Sequence, residues 1–419
     1  MNRIRVGICC LVSFAVLVHG AVEVWSATLL EIGAAAIFVL WGMEVVRRKE
    51  LELRWNSLYV PLFVLGGLAL AQKLFALSVY PYATKIELLK AASYLMVLFL
   101  TVQSFRSAKE WKGFTWFLVS LGAIVSLLAI VQYFTFNGKL YWFRALPEGV
   151  VPFGPFVNHN HFAGFVELVI PLGFAMALME AVRRDKLPLL IMLTALPVGA
   201  LALSGSRGGI VSLLFEFIVL IFLAPQKGER KKQLSITAGF AVVAALLAIW
   251  LGLGPTTERF AILAHGDISR DRRISMYRDT WRIVADHPWT GTGLGTLQTT
   301  FPRYESYYDG RLVEHAHNDY LEMTADTGLL GLMSMLGFII VVAWRGLTNL
   351  RAARDRKRQA LYCGSLTACA GLLLHSLLDF NLHIPSNALL FLLLAAMATS
   401  TMTGEPQDNR SLTKEITGA

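Results

Sequence analysis

The chain has 419 residues, 55% of them hydrophobic and 16% charged, with a mean hydropathy of +0.54. A soluble domain carries about 25% charged residues, so a soluble fold of this composition lacks the polar surface to cover its cores; disordered, coiled-coil, collagenous and disulfide-framework readings are excluded as well. The formal net charge of +9 says little about nucleic acid until the charges are placed along the chain.

A spanning helix needs about 20 mainly apolar residues. The first such stretch, 6–22, follows Arg3 and Arg5. It reads as a retained helix rather than a signal peptide, because a second stretch, 25–46, follows almost at once with no small-residue cleavage site between them. Stretches 57–75, 86–104 and 114–135 come next, then the polar run Asn158-His159-Asn160-His161 ahead of 162–182. Stretches 187–204 and 207–224 are joined by Ser204-Gly205-Ser206-Arg207-Gly208-Gly209, and 234–253 completes nine. A long polar segment, 254–326, precedes the last three, 327–345, 360–380 and 387–403. The tail 404–419 is polar and reads as disordered.

Lysine and arginine orient this array. With the N-terminus inside, the inner segments hold 24 of the 38 basic residues, a positive-inside pattern that puts both ends in the cytoplasm. The segment 254–326 then lies outside, with 8 Arg, no Lys and 11 acids. All nine histidines fall on the outer side or in the outer half of a span, so groups that titrate near neutral pH are outside. Cys9, Cys10, Cys363 and Cys369 fall within spans and read as small apolar residues. The expected fold is an all-α polytopic membrane protein with about 12 transmembrane helices. Its parts are spans 1–9 in 1–253, an outer helical loop in 254–326, spans 10–12 in 327–403 and a cytoplasmic tail in 404–419.

Within the outer segment, residues 273–286 place Ile274, Tyr277, Trp281 and Val284 on one helical face. His287-Pro288 stops that helix, and Gly291, Gly293 and Gly295 form a flexible turn. A second helix starts near Asn318, with Asp319 and Glu322 in its first turn, where the helix dipole favours acids. It runs towards Gly328 and the next span.

Several groups could carry chemistry. Arg207 sits among small residues at the outer boundary; it is either a bidentate clamp for an oxyanion or phosphate, or an anchor that snorkels into the headgroups. Arg270, Arg272 and Arg273 form a basic cluster suited to a diphosphate, to anionic lipid, or to ion pairs with Asp267 and Asp271. His315-Ala316-His317-Asn318-Asp319 resembles a metal-ligand run, but no third and fourth ligand follow at compelling spacing; a histidine here could instead take a proton from a substrate hydroxyl. Glu305, Asp309, Glu314, Asp319 and Glu322 are close in sequence, although spacing alone does not make a glycosidase pair of any two. Glu31, Lys73, Lys90, Glu167, Glu216, His375 and Asp379 fall within expected spans, where ionisable groups are either functional or paired internally. They keep a transporter in view, although no internal repeat is visible and the long segment follows span nine on the outside.

Four of these stretches carry a resemblance. They are Ser206-Arg207-Gly208-Gly209; Arg273 and Tyr277 followed by Asp286-His287-Pro288-Trp289-Thr290-Gly291-Thr292-Gly293-Leu294-Gly295; His317-Asn318-Asp319-Tyr320-Leu321-Glu322 with Gly328 eleven positions after His317; and Phe156 to Gly164. In order, spacing and side of the membrane, the chain resembles the O-antigen ligase and polymerase superfamily of bacterial envelope glycosyltransferases, over nearly its whole length. It departs from the family in having Val211 where a Leu is usual and Tyr277 where many relatives carry Trp.

The resemblance implies a metal-independent, inverting transferase of the inner membrane whose outer loop and site are periplasmic. The donor is a glycan on undecaprenyl diphosphate. The acceptor is a hydroxyl, that of lipid A-core in lipopolysaccharide biosynthesis. By position, His317 is the catalytic residue, and Arg207 and Arg273 hold the donor diphosphate. Arg272, His315, Asn318 and His161 are accessory candidates, and Arg272 and His315 stand as alternates to their neighbours. No cofactor, metal or nucleic acid is implied, and membrane lipids are the surrounding partners. A polymerase and a protein oligosaccharyltransferase of the same superfamily share these motifs, and a polyisoprenoid-glycan transporter is the alternative of another class.

Overall fold

The computed structural model describes residues 1–146, 150, 152–224, 270–308 and 310–403. Helices follow from long apolar runs closed by specific caps: α1 (Asn2–Leu17), α2 (Val24–Arg48), α3 (Tyr59–Leu74), α4 (Pro81–Ser104) and α5 (Ala108–Phe134). Proline at the first position of α4 costs no hydrogen bond. At α5, Ser107 and Glu110 form a capping box that satisfies a backbone N–H in each direction. A short antiparallel hairpin follows, β1 (Lys139–Leu140) and β2 (Arg144–Ala145), with Leu140 opposite Arg144. The chain continues through α6 (His159–Glu167), α7 (Ile170–Leu178), α8 (Leu187–Ser204), which ends on left-handed Gly205, and α9 (Arg207–Leu223). After the undescribed stretch come α10 (Arg270–Asp286), α11 (Leu297–Thr300), α12 (Asp319–Ala352), α13 (Arg356–His375) and α14 (Pro385–Thr399).

Six helices among the described residues are long and apolar enough to cross a membrane: Val24–Arg48, Pro81–Ser104, Ala108–Phe134, His159–Leu178, Arg184–Ser204 and Asp319–Ala352. Tyr59–Leu74 and Pro385–Thr399 are apolar but shorter. The remaining expected spans include 234–253, which lies outside the described residues, as do 254–269 and the tail 404–419. Helix α13 ends at His375, earlier than the expected limit of 380, so Asp379 lies in the following turn.

The bundle core is built by α13 against α7, α9 and α14, by α5 against α8, by α2 against α4 and by α12 against α3. Trp111, Phe156, Phe162 and Phe165 are fully buried within it. Phe63, Val64, Phe222, Ile340 and Trp344 are exposed, an apolar exterior that suits lipid and not water.

A second, smaller core lies under α10. It contains Met276, Ile283, Val284, Leu297, Phe301, Val313, Ala316 and Ala325. The buried face of α10 therefore differs from the expected one. Ile274 and Trp281 are exposed, at 55% and 60%, while Met276, Thr280 and Ile283 point inwards with Val284. Asp279 is drawn inwards too, and its carboxylate accepts from Ser306 N and Oγ at 2.8 and 2.7 Å. That buried polar contact rotates the helix away from the face that hydropathy alone selects.

The glycine turn expected to be flexible is packed backbone to backbone. Gly291, Gly293 and Gly295 all have positive φ, and the Thr292 and Gly293 amides donate to the Ala325 and Asp326 carbonyls at 3.0 and 2.9 Å. On the other side of the crossing, Gly328 interrupts α12 at φ 66°, ψ −169°, and any Cβ there would run into the Trp289 carbonyl. Gly328→Ala is expected to cost roughly 1–3 kcal/mol from backbone strain alone, read as a lower thermal midpoint of purified protein in detergent. Gly337→Ala, in the same helix with open space at its Cβ, is the control and should leave the midpoint unchanged or raise it slightly.

Candidate active site

The site forms where the start of α12 meets the turn after α13. Asn318 caps α12, accepting from Leu321 N at 2.9 Å, and donates from Nδ2 to the Leu377 carbonyl at 3.2 Å. The Asp319 amide donates to the Ser376 carbonyl at 2.9 Å, and the Tyr320 hydroxyl to the Leu373 carbonyl at 2.8 Å. These bonds fix the residues just before the helix. His317 takes a left-handed φ of 51°, and Tyr277 of α10 donates its hydroxyl to the His317 carbonyl at 2.9 Å.

His317 Nδ1 lies 3.0 Å from Asp379 Oδ1, with the imidazole 14% exposed and the carboxylate 1% exposed. Asp379 also accepts from the Phe380 amide at 2.9 Å. Burial opposes ionisation of Asp379, but the hydrogen bond and charge of His317 outweigh it and hold the carboxyl well below its usual range. A carboxylate facing Nδ1 keeps the proton there and leaves Nε2 as the basic nitrogen. This is the arrangement a general base needs.

His315, two residues earlier, turns to different partners. Its Nδ1 lies 2.8 Å from Glu322 Oε1, whose other oxygen accepts from the Ala316 amide at 2.8 Å. His383 joins them, with Nε2 3.2 Å from Glu322 Oε1 and Nδ1 2.7 Å from Asp319 Oδ1. Burial disfavours charge on His383, but Glu322 and Asp319 prevail and raise it to about 10. Sequence spacing offered no third metal ligand beside His315 and His317. In the fold, His315 meets Glu322 and His383 as a group able to hold a metal ion, while His317 is not part of it.

Phe380 gathers the rings. His315 stacks on it at 4.3 Å, and His317 and His161 meet it edge-on, each at 4.8 Å. His161 is buried, and its Nε2 has no hydrogen-bond partner among the described residues.

The two outlying motifs reach this centre through α6 and α9. Ser206 caps α9, accepting from Gly209 N at 3.1 Å, and its hydroxyl donates to Asn160 Oδ1 at 2.7 Å. The Asn158–His161 run and the Ser206–Gly209 run are thus one cluster. Arg207 opens α9 with an exposed side chain. A Cβ on the next residue, Gly208, would lie 2.7 Å from His375 Nε2. His375 in turn holds Glu167 at 3.1 Å, both buried, and Lys90 holds Glu87 at 2.6 Å, so these ionisable groups of the bundle are internally paired. The adjacent arginines Arg272 and Arg273 of α10 diverge. Arg272 is buried, with Nη2 donating to the Arg311 carbonyl at 3.3 Å, whereas Arg273 Nη1 lies 3.5 Å from the Leu378 carbonyl, next to Asp379.

Sequence reasoning marked Asp379 as unusual without assigning it, and passed over Phe380 and the pairing of His383. The available signal was the density of polar residues in His375 to His383, directly after an apolar run.

A helical bundle with several apolar, membrane-length helices and an apolar exterior marks a polytopic membrane protein, and its histidine–carboxylate pair lies between the start of α12 and the turn after α13. A family model described as O-antigen ligase matches residues 190–336. That segment holds Arg207, the Arg272–Arg273 pair and the His315–Asn318 run, and it bears out the resemblance to the O-antigen ligase superfamily, whose members are ligase- and polymerase-type glycosyltransferases. No curated protein matches the chain.

Asp379→Asn leaves the shape of the site intact but removes the charge that fixes the His317 proton. Transferase turnover is expected to fall about 10²- to 10⁴-fold with unchanged protein in the membrane fraction. Turnover within a factor of a few of wild type would show that Asp379 does not orient His317.

Proposed function

We propose that the protein is an inverting glycosyltransferase that moves a glycan from undecaprenyl diphosphate to an acceptor hydroxyl at the periplasmic face of the bacterial inner membrane, ligating O-antigen onto lipid A-core. The observation that carries this reading is the His317–Asp379 pair, with Nε2 left as base beside a turn reached by Arg273.

In the reaction, Nε2 of His317 takes the proton of the acceptor hydroxyl as the oxygen attacks the anomeric carbon. The bond from that carbon to the diphosphate oxygen breaks on the opposite face, which inverts the configuration. The departing lipid diphosphate keeps the electron pair. Arg207 and Arg273 stabilise its charge, and guanidinium forks match phosphate oxygens two at a time. Proton transfer to His317 supplies the activation of the alcohol, so this chemistry asks no metal of the protein. Asn318 and Tyr277 hold the His317 backbone, and His161 and His315 pack its Phe380 wall.

The test is reconstitution in lipid with a polyprenyl-diphosphate glycan donor and candidate acceptors, followed by identification of the glycosylated product. His317→Ala is expected to abolish transfer, and Arg207→Ala and Arg273→Ala to lower it at least about 10²-fold, with wild-type amounts of each protein in the membrane. Retained transfer in His317→Ala overturns the base assignment. A product in which repeat units are joined to each other, or to protein, replaces ligation onto lipid A-core with polymerisation or protein glycosylation.

A further inference from the structure

We propose that His315, Glu322 and His383 bind one zinc ion, in a site separate from the His317–Asp379 pair.

Three potential ligand atoms converge there, all within 4.8 Å of one another. Both rings approach the same carboxylate oxygen, His315 Nδ1 at 2.8 Å and His383 Nε2 at 3.2 Å from Glu322 Oε1. The other Glu322 oxygen is occupied by the Ala316 amide, so Oε1 is the atom left to meet a cation. Asp319 orients His383. Its Oδ1 faces His383 Nδ1 at 2.7 Å and its Oδ2 accepts from the Leu382 amide at 3.0 Å. Nδ1 is thus turned towards Asp319, and Nε2 towards the Glu322 oxygen that His315 also approaches. A metal ion about 2 Å from each ligand would take the place of the Nε2 proton and meet all three atoms at once.

The surrounding pattern is that of a metal centre. A ligating imidazole ordinarily gives its second N–H to a carboxylate, which fixes the ring and raises its basicity, and Asp319 stands in that position. Two imidazoles and a carboxylate suit zinc over magnesium or calcium, which prefer all-oxygen sets. Glu322 is 3% exposed, while His315 and His383 are 29% and 21% exposed, which leaves an entry route for an ion. The ligands come from the segment before α12, the first turn of α12 and the turn after α13. An ion there clamps the three segments that present His317 without touching its basic nitrogen.

The test uses the full-length protein in detergent, dialysed against a chelator and then titrated with zinc chloride or cobalt chloride. Wild type is expected to bind one ion per chain. Cobalt should give the visible absorption of a tetrahedral site, bleached by zinc, and zinc should raise the thermal midpoint. Glu322→Gln and His383→Ala should lose the site, and Asp319→Asn should weaken it about 10- to 100-fold. His317→Ala should bind as wild type. Monodisperse wild type that takes up no ion overturns the proposal, as does equal binding in the Glu322, His383 and Asp319 variants, or loss of binding in His317→Ala. Should Glu322→Gln or His383→Ala fail to fold, Asp319→Asn against wild type decides. Because His317→Ala separates ion binding from transfer, failure here leaves the base assignment untouched, and the converse also holds.

Discussion

The first turn of α12 is bonded to the turn after α13 by carboxylate, imidazole and backbone groups, and the geometry of the site depends on that junction. Burying a carboxylate is costly unless hydrogen bonds compensate it. Asp319 is compensated by His383 and the Leu382 amide, and Glu322 by His315, His383 and the Ala316 amide. In Asp379 a single oxygen, Oδ1, meets both His317 and the Phe380 amide. Each acid thus pins a histidine and a piece of main chain together. Acids at a helix start also suit its dipole, but here that is the smaller part of what they do.

The junction explains how two histidines separated by one residue acquire different partners. In a regular extended chain, residues two apart point the same way. The left-handed backbone at His317, held by Tyr277 from above, breaks that rule. One ring is sent to a single carboxylate, where it can act as a base, and the other to a three-membered cluster. Arg272 and Arg273 diverge by a simpler cause, since neighbours on a helix are about 100° apart; one turns inwards to Arg311 and the other to the turn beside Asp379.

Composition and the run of apolar stretches were enough to read an all-helical membrane protein, and the helix start at Asn318 was legible from its capping chemistry. The inward face of α10 was not, because hydropathy ranks Trp281 above Asp279, while the fold buries the acid against Ser306. The glycines of 291–295 were read as slack and turned out to be closely packed, since the backbone they touch, at Ala325 and Asp326, is some thirty positions away in sequence. Among candidate site residues, Arg207 stood out as a charge among small residues at a span boundary, Arg273 by its basic cluster and His317 by the polar run around it. Asp379 was visible only as an ionisable group in an expected span, because its partner is 62 residues earlier in the chain. Pairings of this kind are set by the packing of α12 on α13, which no local pattern encodes.

Phe380 touches three imidazoles at once, one face-on and two edge-on. Those imidazoles come from α6 and from the segment before α12, while the phenyl ring itself sits on the turn after α13. Three separate parts of the chain therefore bear on one hydrocarbon side chain. A displacement of α6 would reach His315 and His317 through that ring as a change of packing, with no hydrogen bond exchanged on the way.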